Sequence, residues 1–217
     1  MVESTEQVRD RYLAAILEPD PAAARDVVRE AVGAGLDIAD AYVGVLAAAM
    51  TEVGLRWEAG EIGVAHEHLA SEVTGSLVSE LASRVRTEPE TGRLALIACS
   101  PQERHCIGGQ MLSGLLEAAG WEVLYLGASL PGEDLAEMAD EEAADVIALS
   151  TTLTTHLADV AATIRTVQEL EEPPLVIVGG QAYGGEDDAR RVGADAYAAS
   201  VADAPALLRR RLPPAAA

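Results

Sequence analysis

The chain has no Lys and no Phe, only two Cys (Cys99 and Cys106), and just 3% aromatic residues. Two thiols are too few for a disulfide framework, so a reducing, cytoplasmic setting is expected. With no Lys, every basic residue is Arg, and 15 basic side chains face 36 acidic ones for a net charge of −21. A phosphate backbone would be repelled, so direct nucleic-acid binding is not expected. The cluster Arg209-Arg210-Arg211 reads as cations at a helix end. The first residues show no basic segment followed by an apolar one, so no signal peptide is expected. No unbroken apolar run approaches the roughly 20 residues of a membrane helix, so no membrane partner is expected. Apolar residues still make up 49% of the chain, which excludes a disordered acidic tail and allows a core of Leu, Val, Ile and Ala.

The first 86 residues carry a helical period. Ser4 and Gln7 have capping-box spacing, and Val8, Tyr12, Ala15 and Ile16 follow on one face. Pro19-Asp20-Pro21 ends that helix and starts a second, with Asp20 as N-cap and Val27, Val28, Ala31 and Val32 inward. Gly33 and Gly35 stop it. A third helix is expected from about 37 to 57, with Ile38, Ala41, Tyr42, Val45, Leu46 and Ala49 inward, and a fourth from about 64 to 86. Four helices on short loops predict a small bundle over 1–86. Residues 87–93 have a linker composition.

From residue 94 to 217 short apolar runs alternate with helical stretches. Strands are expected at 94–99, 122–127, 145–150, 175–180 and near 194–197. Helices are expected at 109–119, after Pro131, at 155–170, from Glu186 and from about Asp203. This rhythm predicts an α/β fold with a five-stranded parallel sheet in a doubly wound, flavodoxin-like order. Ligands of such sheets bind beyond the carboxyl ends of the strands, which singles out 100–108, 127–131, 150–155 and 179–185.

The first of these edges has neither G-x-G-x-x-G nor a P-loop. It reads Glu103-x-His105-x-x-Gly108-Gly109. In an extended loop Glu103 and His105 point to one side, so the carboxylate can accept from one ring nitrogen and leave the other as a better metal ligand. Gly108 and Gly109 would let a flat ligand approach. Composition alone gives roughly 0.06 accidental acid-x-His-x-x-Gly matches in the chain.

The pattern resembles the D-x-H-x-x-G signature of cobalamin-binding domains, with Glu103 in place of Asp. Ser150 to Thr154 is similar to the S-x-x-x-T segment whose hydroxyls contact the cobalamin nucleotide tail, and Gly179-Gly180 to the paired glycines along which the tail slides. The resemblance implies that His105 is the lower axial cobalt ligand in the base-off/His-on mode, with Glu103 as its partner. His156 falls where relatives often place a hydroxyl; it is a candidate to join this relay, though it reads first as an ordinary partly exposed residue.

Trp57 followed after nine residues by Glu67-His68 resembles the cap of light-sensing cobalamin proteins, both MerR-type repressors and stand-alone antirepressors. That resemblance implies a Rossmann-like cobalamin-binding photoreceptor without its own DNA-binding domain, and no enzyme. Trp57, Glu67 and His68 would cradle an upper ligand, typically 5′-deoxyadenosyl. In the repressors a cobalt-capturing His follows the Trp; here it is Glu58. Some stand-alone relatives also hold a bilin, so a bilin beside adenosylcobalamin is a further expectation. A regulatory protein partner, or a second copy of the chain in a homo-oligomer, would read the light-driven shift. Cys106 reads as a small packing residue. The rival expectation is a corrinoid methyl carrier serving a methyltransferase, which shares the fold and the axial His.

Overall fold

A computed structural model describes residues 3–85 and 88–212. The chain divides into two compact units, Met1–Val85 and Arg86–Ala217. The expected helix end at Arg86 and linker start at Thr87 lie outside the described residues.

In the first unit, α1 (Thr5–Leu17) starts at a complete capping box between Ser4 and Gln7. Helix α2 (Pro21–Gly33) starts at Asp20, whose carboxylate accepts from the Ala23 amide. Helix α3 (Ile38–Glu58) contains a seven-residue π-helical stretch, Ala41–Ala47. Its wider turn is not visible in a spacing read as 3.6. A side chain on Gly44 in this stretch would fall 2.5 Å from Thr5 Cγ2, so glycine lets α1 approach closely. By length and a mean hydropathy of 1.4, α3 could cross a membrane. Its apolar stripe instead forms the bundle core, where Tyr42, Val45, Leu46, Ala49 and Val53 are fully buried. Helix α4 (Val64–Ala82) ends earlier than the expected 86. Tyr42 donates to the Val78 carbonyl at 2.9 Å, and the Tyr12 hydroxyl meets Thr74 Oγ1 at 2.8 Å. Thr74 itself donates to the Ala70 carbonyl at 2.6 Å, which leaves Tyr12 as donor. These bonds fix α1 and α3 onto α4.

The second unit alternates β1 (Leu94–Cys99), α5 (Ile107–Ala118), β2 (Glu122–Gly127), α6 (Gly132–Glu141), β3 (Val146–Ser150), α7 (Leu157–Gln168), β4 (Leu175–Gly179), α8 (Glu186–Val192), β5 (Ala196–Ala198) and α9 (Ala204–Arg211). All neighbouring strands pair parallel, in the order β2-β1-β3-β4-β5. The last strand lies about two residues beyond its expected place. A 3₁₀ turn, Thr154–His156, precedes α7 where the pattern suggested regular helix. Alternation sends Leu96, Ala98, Ile147, Leu149, Val176 and Val178 into one layer with Leu135, Val160 and Ile164. Ala95, Ile97, Val146, Ala148 and Ile177 face the other way, onto Leu112, Leu116 and Leu208.

Two aspartates clamp the amino ends of the strands. Asp145 accepts from the Leu94 amide at 2.9 Å and pairs with Arg93 at 2.5 Å, while Asp195 accepts from the Val176 amide at 2.8 Å. Residues 88–93 run against the α5–β2 turn: the Glu88 and Thr91 amides each donate at 2.7 Å, to the Ala118 and Gly120 carbonyls. This polar stretch is docked rather than a free tether.

Candidate cobalt-ligand site

The switch point of the sheet lies between β1 and β3. The loops after these strands meet through the Thr151 hydroxyl donating to Ser100 Oγ at 3.1 Å and, chiefly, through Glu103. Glu103 is fully buried. Its Oε1 accepts from the His105 amide at 3.0 Å and lies 2.5 Å from His105 Nδ1. Its Oε2 accepts from the Thr152 amide at 2.7 Å and the Leu153 amide at 3.2 Å. Burial alone would raise this carboxyl, but the amides of His105 and Thr152, the His105 ring and the Leu153 amide together pull it down to about 2. Glu103 is therefore a carboxylate at neutral pH, and it fixes which nitrogen of His105 carries the proton.

The His105 side chain is 56% exposed. With Nδ1 committed to Glu103, Nε2 makes no hydrogen bond among the described residues. Among those residues no group of three or more His, Cys, Asp or Glu converges to hold a bare metal ion. One oriented imidazole instead suits a metal already held by a macrocycle. Gly108 agrees with this. A side chain there would meet Ser150 Oγ at an ordinary 3.5 Å, so the protein's own packing does not require glycine, and the space suits a ligand's approach.

Several residues sit otherwise than the sequence suggested. His156 is not an ordinary partly exposed residue: its side chain is 14% exposed, and Nδ1 lies 3.4 Å from Glu103 Oε2. The contact joins loops 53 residues apart, beyond the reach of local spacing. Gly109 does not open space for a ligand, because a Cβ there would lie 3.0 Å from Tyr125 Cε2. Gly180, at φ +111, presses on the Thr151 backbone, where a Cβ would fall 2.2 Å from the carbonyl oxygen. A Cβ on Gly179 would lie 3.1 Å from the Ala198 carbonyl oxygen. Ser150 ends β3 and Thr154 is exposed at the start of the 3₁₀ turn.

Beneath the loop, the Cys99 thiol is pushed up to about 12 and the Tyr125 phenol is also raised, both chiefly by burial. Both remain protonated donors at neutral pH. Neither residue stands out in the sequence, where each reads as strand core.

Trp57, Glu67 and His68 belong to the first unit. Trp57 lies in the last turn of α3 and is 48% exposed. Glu67 and His68 lie in the first turn of α4, with His68 Nδ1 2.6 Å from Glu67 Oε2 and Ser71 donating to Glu67 Oε1 at 2.8 Å.

Comparison with known proteins gives two family matches, each to a B12 binding domain, over residues 93–208 and 8–82. A dimethylamine corrinoid protein of Methanosarcina barkeri is 32% identical over 171 residues, covering 77% of this chain and 80% of its own. A trimethylamine corrinoid protein of the same organism is 28% identical over 215 residues, covering 95% and 97%. The structure of the Methanosarcina barkeri monomethylamine corrinoid protein matches in fold with a TM-score of 0.82 at 21% identity, covering 96% of this chain and all of that one.

These relatives overturn the light-sensor expectation, because their names are those of methylamine corrinoid proteins and not of photoreceptors. The 5′-deoxyadenosyl ligand and the bilin came only through that resemblance and have no support in them. Cobalamin binding and the α/β architecture stand. The chain belongs to the B12-binding family of corrinoid proteins.

Proposed function

We propose that the protein is a corrinoid methyl carrier: it holds cobalamin through His105 and presents it to a methyltransferase partner. The single observation that carries this reading is the buried Glu103 carboxylate against His105 Nδ1, which aims Nε2 as a ligand. The names of the dimethylamine and trimethylamine relatives favour a methyl group as cargo.

Bound cobalamin would supply a cobalt centre able to take up and release a methyl group. The chain's own residues do the holding. Glu103 keeps the Nδ1 proton of His105, so Nε2 presents its lone pair. Gly108 leaves room beside the loop. Ser150, Thr154, Gly179 and Gly180, at the carboxyl ends of β3 and β4, are the residues assigned to the nucleotide tail. The chain acts as a carrier, and the catalytic groups for methyl transfer belong to the partner.

Reconstitution with hydroxocobalamin tests this. Wild type is expected to retain one corrinoid per chain after desalting, with a spectrum that changes in His105→Ala. After reduction, labelled methyl iodide should leave one methyl per cobalt on the protein. A chain that retains no corrinoid, or one whose spectrum is indifferent to His105→Ala, overturns the reading.

A further inference from the structure

His105 is tied at every polar group except Nε2. Its amide and Nδ1 go to Glu103. Its carbonyl accepts from the Cys99 thiol at 3.6 Å. The carbonyls on either side are also held: Arg104 accepts from the Cys106 thiol at 3.1 Å, and Cys106 from the Tyr125 hydroxyl at 3.2 Å. Three consecutive carbonyls are thus gripped by side-chain donors, two of them rising from the adjacent strands β1 and β2. The loop is irregular, with Gln102 at φ +65. The Cys106 carbonyl also takes the first helical bond of α5, from the Gln110 amide at 3.0 Å, whereas the Arg104 and His105 carbonyls have no backbone donor among the described residues.

We propose that Cys99 and Tyr125 are positioning residues for the cobalt ligand, fixing the backbone of the His105 loop from below while Glu103 fixes the ring. This rests on His105 being that ligand. The arrangement also accounts for Gly109. Its missing side chain lets the Tyr125 ring cross over α5's first turn to reach the Cys106 carbonyl, since a Cβ would lie 3.0 Å from the ring edge and 3.6 Å from the hydroxyl. Thiols and phenols are single donors. The phenol is the stronger of the two, so Tyr125 has the larger effect.

The test uses the full chain loaded with cob(II)alamin, whose electron paramagnetic resonance signal is split by an axial nitrogen. The split fraction is followed as acid is added until the imidazole lets go. Loss of one neutral hydrogen bond should weaken the hold about fivefold in Tyr125→Phe, raising the release midpoint by about 0.7 pH. Cys99→Ala should shift it less and in the same direction. Gly109→Ala, which displaces the ring without touching the hydroxyl, should resemble Tyr125→Phe. Total corrinoid uptake should stay within about twofold of wild type. Unchanged midpoints in Tyr125→Phe and Cys99→Ala overturn the proposal, even if the melting temperature of the cofactor-free protein falls. A wild-type signal with no nitrogen splitting removes His105 as the ligand and overturns the proposed function as well, so the two failures are distinguishable.

Discussion

At Glu103 burial and hydrogen bonding oppose each other, and hydrogen bonding wins. The carboxyl falls from 4.5 to about 2, which corresponds to about 3 kcal/mol favouring the folded state. Because the folded value is the lower one, this stabilisation is complete above about pH 4.5 and is lost as pH falls toward 2. Urea unfolding of wild type and Glu103→Gln at pH 7 and pH 3 checks it: the gap between them should narrow at the lower pH. Two glycines separate packing from ligand approach. Gly180→Ala puts a methyl into the Thr151 carbonyl at a positive φ and should cost more than about 2 kcal/mol in the cofactor-free protein. Gly108→Ala meets nothing but an ordinary contact and lies within α5, so it should leave that stability unchanged or slightly higher while weakening cobalamin uptake. Equal corrinoid affinity in Gly108→Ala would remove that residue from the site. The pairing of Glu103 with His105 was legible because two residues two apart share a face. The part of Tyr125 was not legible and that of His156 only as the lesser alternative, because their partners follow other strands and only the folded sheet supplies them.

The helices and strands show the same division between local and tertiary information. The capping box at Ser4, the Asp20 cap and all five strands were legible from side-chain chemistry and apolar runs. The π stretch in α3 was not. It coincides with the close seat of Thr5 on Gly44, a contact between elements that local spacing does not encode. The short motif from Trp57 to His68 misled because three residues on two helix ends say nothing about what occurs on a cofactor's far face. The cap predicts its own energetics: Asp20→Ala removes the acceptor of the Ala23 amide and should cost about 1 kcal/mol, measurable by chemical denaturation.

Across the whole molecule the net charge of −21 sets a repulsion that folding must overcome. Added salt shortens the reach of that repulsion, so the melting temperature should rise by several degrees between about 20 mM and 500 mM sodium chloride. A flat or falling melting curve over that range would mean that paired surface charges dominate. The β1 to β3 connection has a larger consequence. Glu103 receives the Thr152 and Leu153 amides once β3 has come to lie beside β1, across a connection that holds α5, β2 and α6. Long-range parallel pairing of this kind forms slowly. A carboxylate backed by both loops is therefore expected late in refolding, and on the proposed function corrinoid capture should lag the return of helical signal.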